Sequence, residues 1–201
     1  MNKLLQVFGS HTKVQEILLL QHNLKNVVRH GFYESELPSV IKFCEKQNLH
    51  YVKSKFKVLL AEDTAYSNKG IRILEKDKRP GMYFIYISKN EEKSLLAAYY
   101  ELVENHEELG KLLGYPSCCI DYFTKNFTSE NPNPIHQPTN AWTNITRRDQ
   151  DLVLLSHFPC SSECKESIIL AKKYLAMIYD LDKERAEELL NRLKIQDNKE
   201  I

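Results

Sequence analysis

Apolar residues recur at helical spacing from Thr12 to Arg29, where Val14, Ile17, Leu18, Leu24, Val27 and Val28 form one side. With Thr12 as N-cap and Gly31 as a stop, the pattern predicts a first helix. A second is expected from Ser35 or Pro38 to Gln47, carrying Leu37, Val40, Ile41, Phe43 and Cys44 on its apolar face. The period then changes. Leu49 to Leu60, Gly70 to Glu75 and Gly81 to Ser88 are rich in β-branched and aromatic residues, and turn residues separate them at Ser67-Asn68-Lys69-Gly70 and Lys78-Arg79-Pro80-Gly81. These three stretches predict a small antiparallel three-stranded sheet. In the first, Tyr51, Lys53, Lys55 and Lys57 alternate with Val52, Phe56 and Val58.

Helical periodicity returns at Asn90 and runs to Leu113. Asn90 is placed to cap this helix, Leu95, Leu96, Tyr99, Leu102, Val103, Leu109 and Leu113 make its stripe, and Gly114 ends it. Such a helix leads straight into the Cys118-Cys119 turn and is expected to be a rigid support for a site there; His106, on its polar side, is given no role. A long connection from Thr128 to Thr143, rich in Asn, Pro and Thr, contains His136 and Trp142; it reads equally as a site cover or a plain surface loop. Leu152 to Leu155 is read as a short buried strand or helix end. Ser161 or Ser162 is expected to cap a helix reaching Tyr179, and Asp182 one reaching Leu193. The pattern describes an α+β protein: N-terminal helices, the small sheet, then a C-terminal helical half carrying a four-cysteine site. It reads as a single domain over 1–201, divided as 1–48, 49–88, 89–195 and a frayed tail at 196–201.

Composition changes this picture little. The chain has 201 residues, is 42 % hydrophobic and 27 % charged, and carries a net charge of +1, all ordinary for a water-soluble globular fold. It has no apolar run of the roughly 18 residues that a membrane span needs. The N-terminal Met-Asn-Lys-Leu-Leu-Gln-Val-Phe makes a poor signal peptide. A cytoplasmic location without membrane association is therefore expected. Charge adds one local feature. Residues 53–79 hold eight basic residues against four acidic ones. Lys53, Lys55, Lys57 and Arg72 are candidate contacts to RNA or another polyanion; the plainer reading is a solvated sheet face with lysines guarding its edge.

The chemistry is concentrated elsewhere. Four of the five cysteines fall in Gly114-Tyr115-Pro116-Ser117-Cys118-Cys119 and His157-Phe158-Pro159-Cys160-Ser161-Ser162-Glu163-Cys164. In each piece a proline precedes the cysteines and an amphipathic run follows, which places the thiols near helix N-termini, where backbone N–H groups and the dipole favour thiolate. The remaining cysteine, Cys44, reads as a small core hydrophobe. In a reducing compartment, clustered cysteines point to metal or redox chemistry.

Spacing narrows the metal. Cys160 and Cys164, four apart, share one helix face. Adjacent Cys118 and Cys119 diverge by about 100° on a regular helix, an awkward arrangement for one small ion but suitable for an iron–sulfur cluster whose irons are separate. The leading expectation is thus a cytosolic iron–sulfur protein with a redox or sulfur-handling role. Three alternatives stand beside it: a zinc site stabilising a polyanion-binding module, a metal-free dithiol–disulfide couple, and thiols that simply pack. His157 is the candidate catalytic group, as base for Cys160, with metal ligand and hydrogen-bond donor to a sulfur as its other roles.

The paired motif GYP-x-CC and H-x-PC-x-x-x-C resembles the two signatures of an uncharacterised family of archaeal and bacterial proteins, with a match running from the second helix to the end of the second motif. That resemblance implies one site made of Cys118, Cys119, His157, Cys160 and Cys164. It carries no activity.

Overall fold

A left-handed backbone at Asn23 (φ 62°), a conformation asparagine tolerates better than most residues, sends the chain out of its second helix and into a strand. In the computed structural model, which describes residues 2–60, 70–128 and 130–194, α1 spans Asn2–Phe8 and α2 spans His11–Gln21. Ser10 caps α2 by accepting from the Lys13 amide. Strand β1 covers Val27–Phe32. The expected helix over Thr12–Arg29 is therefore a helix followed by a strand. Val27 and Val28, β-branched and fully buried, suit a sheet better than a helix end.

Helix α3 spans Leu37–Lys46 with Pro38 in its first turn and buries Leu37, Val40 and Cys44. Cys44 is fully buried, and burial with the nearby Glu45 charge pushes its thiol up to about 12. The remaining strands are β2 (His50–Lys53), β3 (Phe56–Leu60), β4 (Gly70–Leu74) and β5 (Tyr83–Ser88). A three-stranded antiparallel sheet forms in the order β1-β5-β2, with Val27 opposite Ser88, Phe32 opposite Tyr83 and Lys53 opposite Ile85. Strands β3 and β4 make a separate two-stranded ribbon, joined to the sheet region by a bridge between Val58 and Met82.

The single strand expected over Leu49–Leu60 is thus divided between two sheets. Ser54 divides it: its buried hydroxyl donates to the Phe56 carbonyl (2.6 Å) and accepts from the Phe84 amide (3.1 Å). The third strand of the main sheet is β1, from the segment read as helix. The turn expected at Ser67–Gly70 lies largely outside the described residues, as does the tail at 196–201.

The long helix expected over Asn90–Leu113 is two, α4 (Glu91–Leu102) and α5 (His106–Leu112). Glu104 between them takes φ 59°, and Asn90 and Asn105 cap the two helices by accepting from Lys93 and Glu108 amides. The inward face of α4 also differs from its apolar stripe. Ser94, Ala97 and Glu101 are buried, while Leu95, Tyr99 and Leu102 are about half exposed (53 %, 57 % and 47 %). The orientation is set by a partly buried ion pair, in which Arg29 on β1 makes a two-pronged contact to the buried Glu101. A second pair, Lys25 to Glu16, is buried beside it, with His30 Nε2 3.3 Å from the other Glu16 oxygen.

Residues 2–115 and 116–194 cluster as two compact units. The second contains α6 (Ser117–Asn126), α7 (Lys165–Leu181) and α8 (Lys183–Leu193), the last capped by Asp182 accepting from the Arg185 amide. Between α6 and α7, two 3-10 turns at Ala141–Thr143 and Arg148–Gln150 are the regular structure among the described residues. Leu152–Leu155 forms neither a strand nor a helix end, yet all four side chains are buried. Among the described residues, eight α-helices, a three-stranded antiparallel sheet and cysteines in the C-terminal half make the α+β fold expected. No helix among the described residues is long and apolar enough to cross a membrane.

Candidate metal centre

Proline places the first cysteine pair. Pro116, at φ −59°, is the N-cap of α6, and its carbonyl accepts from the Cys119 (2.9 Å) and Ile120 (3.0 Å) amides. Cys118 and Cys119 therefore stand in the first turn of a ten-residue helix. Cys164 is the N-cap of α7, its carbonyl accepting from Ile168 (3.0 Å). The second helix begins at Lys165 rather than at Ser161 or Ser162, so Cys160 and Cys164 do not lie on one helix face. A turn closed by the Cys164 amide on the Ser161 carbonyl (3.2 Å) brings them together instead.

The ligand atoms of Cys118, Cys119, Cys160 and Cys164 all lie within 4.8 Å of one another. Cys118 Sγ is 3.9 Å from Cys119 Sγ and 3.7 Å from Cys164 Sγ, and Cys119 and Cys164 are 3.6 Å apart. The divergence expected of adjacent helical cysteines does not keep their sulfurs apart. Four cysteines in this arrangement can hold a metal. Cys119 and Cys164 are buried (2 % and 5 %), Cys160 is half-buried and Cys118 is exposed.

Two kinds of group surround the sulfurs. The N-termini of α6 and α7 favour negative charge. Hydrogen bonds do so at single atoms: Cys119 Sγ accepts from the Cys160 amide (3.3 Å) and lies 3.2 Å from Ser167 Oγ. Ser167, fully buried, is in turn 2.9 Å from Nε2 of the buried His157. His157 thus reaches the sulfurs through a hydroxyl. Burial pushes the Cys119 and Cys160 thiols up. At Cys164 burial opposes ionisation too, but hydrogen bonds with Ser167, Cys160 and Cys119 outweigh it and hold this thiol below its usual range. Of these three sulfurs, Cys164 is the most ready to lose its proton. Ser167 escaped the sequence reading, although a serine three residues after Cys164 and followed by Ile168-Ile169-Leu170 is a polar residue facing inward from the first turn of a helix.

The long connection lies over the Cys160–Cys164 turn as a strap. Ser162 Oγ donates to the Gln137 carbonyl (2.6 Å), Thr143 Oγ1 donates to the Ser162 carbonyl (2.6 Å), and Asn140 Nδ2 donates to Glu163 (3.0 Å). The His136 ring lies tilted against Tyr122, 4.6 Å between centroids, and the Tyr122 hydroxyl donates to the Pro134 carbonyl (3.1 Å).

The basic candidates belong to the unit of residues 2–115. Lys57 is buried and donates to the Asp77 and Arg79 carbonyls. Lys53 pairs with Glu75 at 2.5 Å, and Arg72 donates to the Glu101 carbonyl (3.1 Å) and lies over the Phe56 ring. Lys55 is exposed. The alternation that aligned the three lysines is broken at Ser54, so Lys53 and Lys57 sit in different sheets.

The chain matches no curated protein and no solved structure. Residues 91–194 match the sequence model of DUF483, described as a protein of unknown function, and with half of its length covered the chain belongs to that family. The matched region begins at α4, after the sheet, and continues through α8. It is displaced from the span expected, while still containing both cysteine motifs.

Proposed function

We propose that this DUF483 protein is a metalloprotein whose Cys118, Cys119, Cys160 and Cys164 thiolates hold one tetrahedral zinc ion. The supporting observation is the spacing of 3.6–3.9 Å among the Cys118, Cys119 and Cys164 sulfurs, with the Cys160 sulfur within 4.8 Å of them. Bonds of about 2.3 Å from one tetrahedral ion require sulfurs ~3.8 Å apart. An iron–sulfur cluster spreads its thiolates over several irons, which keeps ligands of different irons farther apart than those of a single ion. The geometry therefore favours the single ion over the cluster that adjacent cysteines first suggested. A closed set of four thiolates has no open position for substrate, which makes the centre structural. His157 is then a positioning residue: it holds Ser167, and Ser167 holds the Cys119 sulfur. Lys57 and Arg72 serve the β3–β4 ribbon, and we assign the lysine strand no polyanion.

Metal analysis of protein purified without added metal tests this reading. One zinc per chain, no acid-labile sulfide and no visible absorption are expected. Several irons with sulfide and a brown colour would restore the cluster, and a single iron would keep the geometry but replace the ion. Metal-free protein with an intact fold removes the proposal.

A further inference from the structure

We infer that Cys118 is an oxidation site through which peroxide opens the metal centre by linking Cys118 to Cys164; this rests on the metal-binding reading above. Exposure singles out the first residue. Cys118 is exposed, whereas Cys160 is half-buried and Cys119 and Cys164 are buried. Hydrogen bonding points the same way: Cys119 Sγ receives the Cys160 amide and Ser167, while the described contacts of Cys118 Sγ are to the sulfurs of Cys119, Cys160 and Cys164. N–H and O–H groups directed at a bound thiolate draw off charge that would attack an oxidant.

Geometry then selects the second residue. Cys119 is adjacent in sequence, and its Cα stands ~3.8 Å from that of Cys118, below the roughly 4.4–6.8 Å that a disulfide spans. Both also lie in the first turn of α6, whose backbone would have to distort. Cys164 lies across from them, 3.7 Å away, at the start of another helix. The chemistry balances with hydrogen peroxide as oxidant. The Cys118 thiolate attacks one peroxide oxygen, the O–O bond breaks and hydroxide leaves, giving a sulfenic acid. The Cys164 thiolate attacks that sulfur; the S–S bond forms, the S–O bond breaks and a second hydroxide leaves. Two thiolates have lost two electrons, peroxide has gained them, and two protons convert the hydroxides to water. The ion keeps two of its four sulfurs and is released. A dithiol reductant reverses the linkage and restores the site.

The test uses the full chain loaded with zinc and treated with hydrogen peroxide, with zinc release followed by a chromogenic chelator and disulfides mapped in alkylated peptides. Release of the zinc with a Cys118–Cys164 peptide, both reversed by dithiothreitol, is expected. A Cys118–Cys160 or Cys160–Cys164 linkage overturns the pairing. Cys118→Asp retains an oxygen ligand for zinc but no oxidisable sulfur, and should slow release at least tenfold; release at the wild-type rate overturns the inference. If this variant fails to fold, brief alkylation of the wild type decides instead: Cys118 must be labelled first, and labelling of another sulfur first sinks the proposal. Failure of the metal-binding reading is distinct. It shows as protein that never holds zinc, and the same mapping on metal-free chain then still reads whether peroxide joins Cys118 to Cys164.

Discussion

The two units are held together by different means. In residues 2–115 a central strand, β5, is paired on both sides, and Val27, Ile85, Tyr86, Ile87 and Ala97 are completely buried around it. It also holds two inward ion pairs, Lys25 with Glu16, both buried, and the partly exposed Arg29 with the buried Glu101. The unit of residues 116–194 has no strand among its described residues, and from Phe127 to Cys164 it relies on side chains such as Ser162, Thr143 and Asn140 to meet backbone groups. The cysteines stand at the two ends of this irregular stretch. A metal there would close a loop of about 41 residues, the separation of Cys119 from Cys160, and by loop entropy a cross-link of that length contributes about 4 kcal/mol. On the proposed reading, a coordinate tie stands where backbone ladders are missing.

The largest test of this contrast is metal removal. Chelation, or Cys164→Ser, should destabilise residues 116–194 by about 4 kcal/mol or more, because binding energy is folding energy. Hydrogen exchange should show α6 and α7 losing protection while β5 and α4 keep theirs; equal loss in both units breaks the comparison. The converse is Glu101→Ala. It leaves Arg29 without its carboxylate and should cost the first unit about 3 kcal/mol, the low end for a broken buried pair because the Arg29 side chain is still 31 % exposed. Zinc content should not change.

A smaller effect is expected from acid. Burial foremost, together with Lys13, Lys25 and Arg29, lowers His30 to about 4 against the attraction of Glu16. His30 is therefore neutral in the fold, and the unfolded chain binds a proton first as pH falls. Stability from this group is complete above about 6.5 and is lost between there and 4, by at most about 3 kcal/mol. Denaturant unfolding across that window should show His30→Gln with a flatter slope than wild type; parallel curves dissociate His30 from the acid response. The smallest change is Ser167→Ala. It removes one hydroxyl from Cys119 and should weaken zinc roughly 10–100-fold by competition with a chelator, with the fold standing. An unchanged affinity places Ser167 and His157 outside the centre's support.

Much of the second unit was legible because its signals are local. Pro116 before the cysteines, Asp182 as a cap and the grouping of four thiols in two short motifs need only neighbours to be read. The first unit was harder. Val27-Val28 fits a helix end as well as a strand, and the choice is made by β5, some sixty residues later. Ser54 looks like an ordinary polar strand position until its hydroxyl is seen bonding Phe56 and Phe84. The inward face of α4 follows Glu101 to Arg29, which no periodicity of apolar residues reports.

By itself, the sequence determined that the chain is α+β, that Cys44 packs and that the other four cysteines come together, since composition, caps and motif spacing act over a few residues. Tertiary structure alone decided which strands pair, where Lys57 and His157 point, and how close the sulfurs come. The last of these depends on side-chain rotation. Two cysteines whose Cβ atoms leave a helix in different directions still bring their sulfurs to 3.9 Å, because each Cα–Cβ bond turns freely until a neighbour 46 residues away, Cys164 at 3.7 Å from Cys118, fixes where the sulfur must lie.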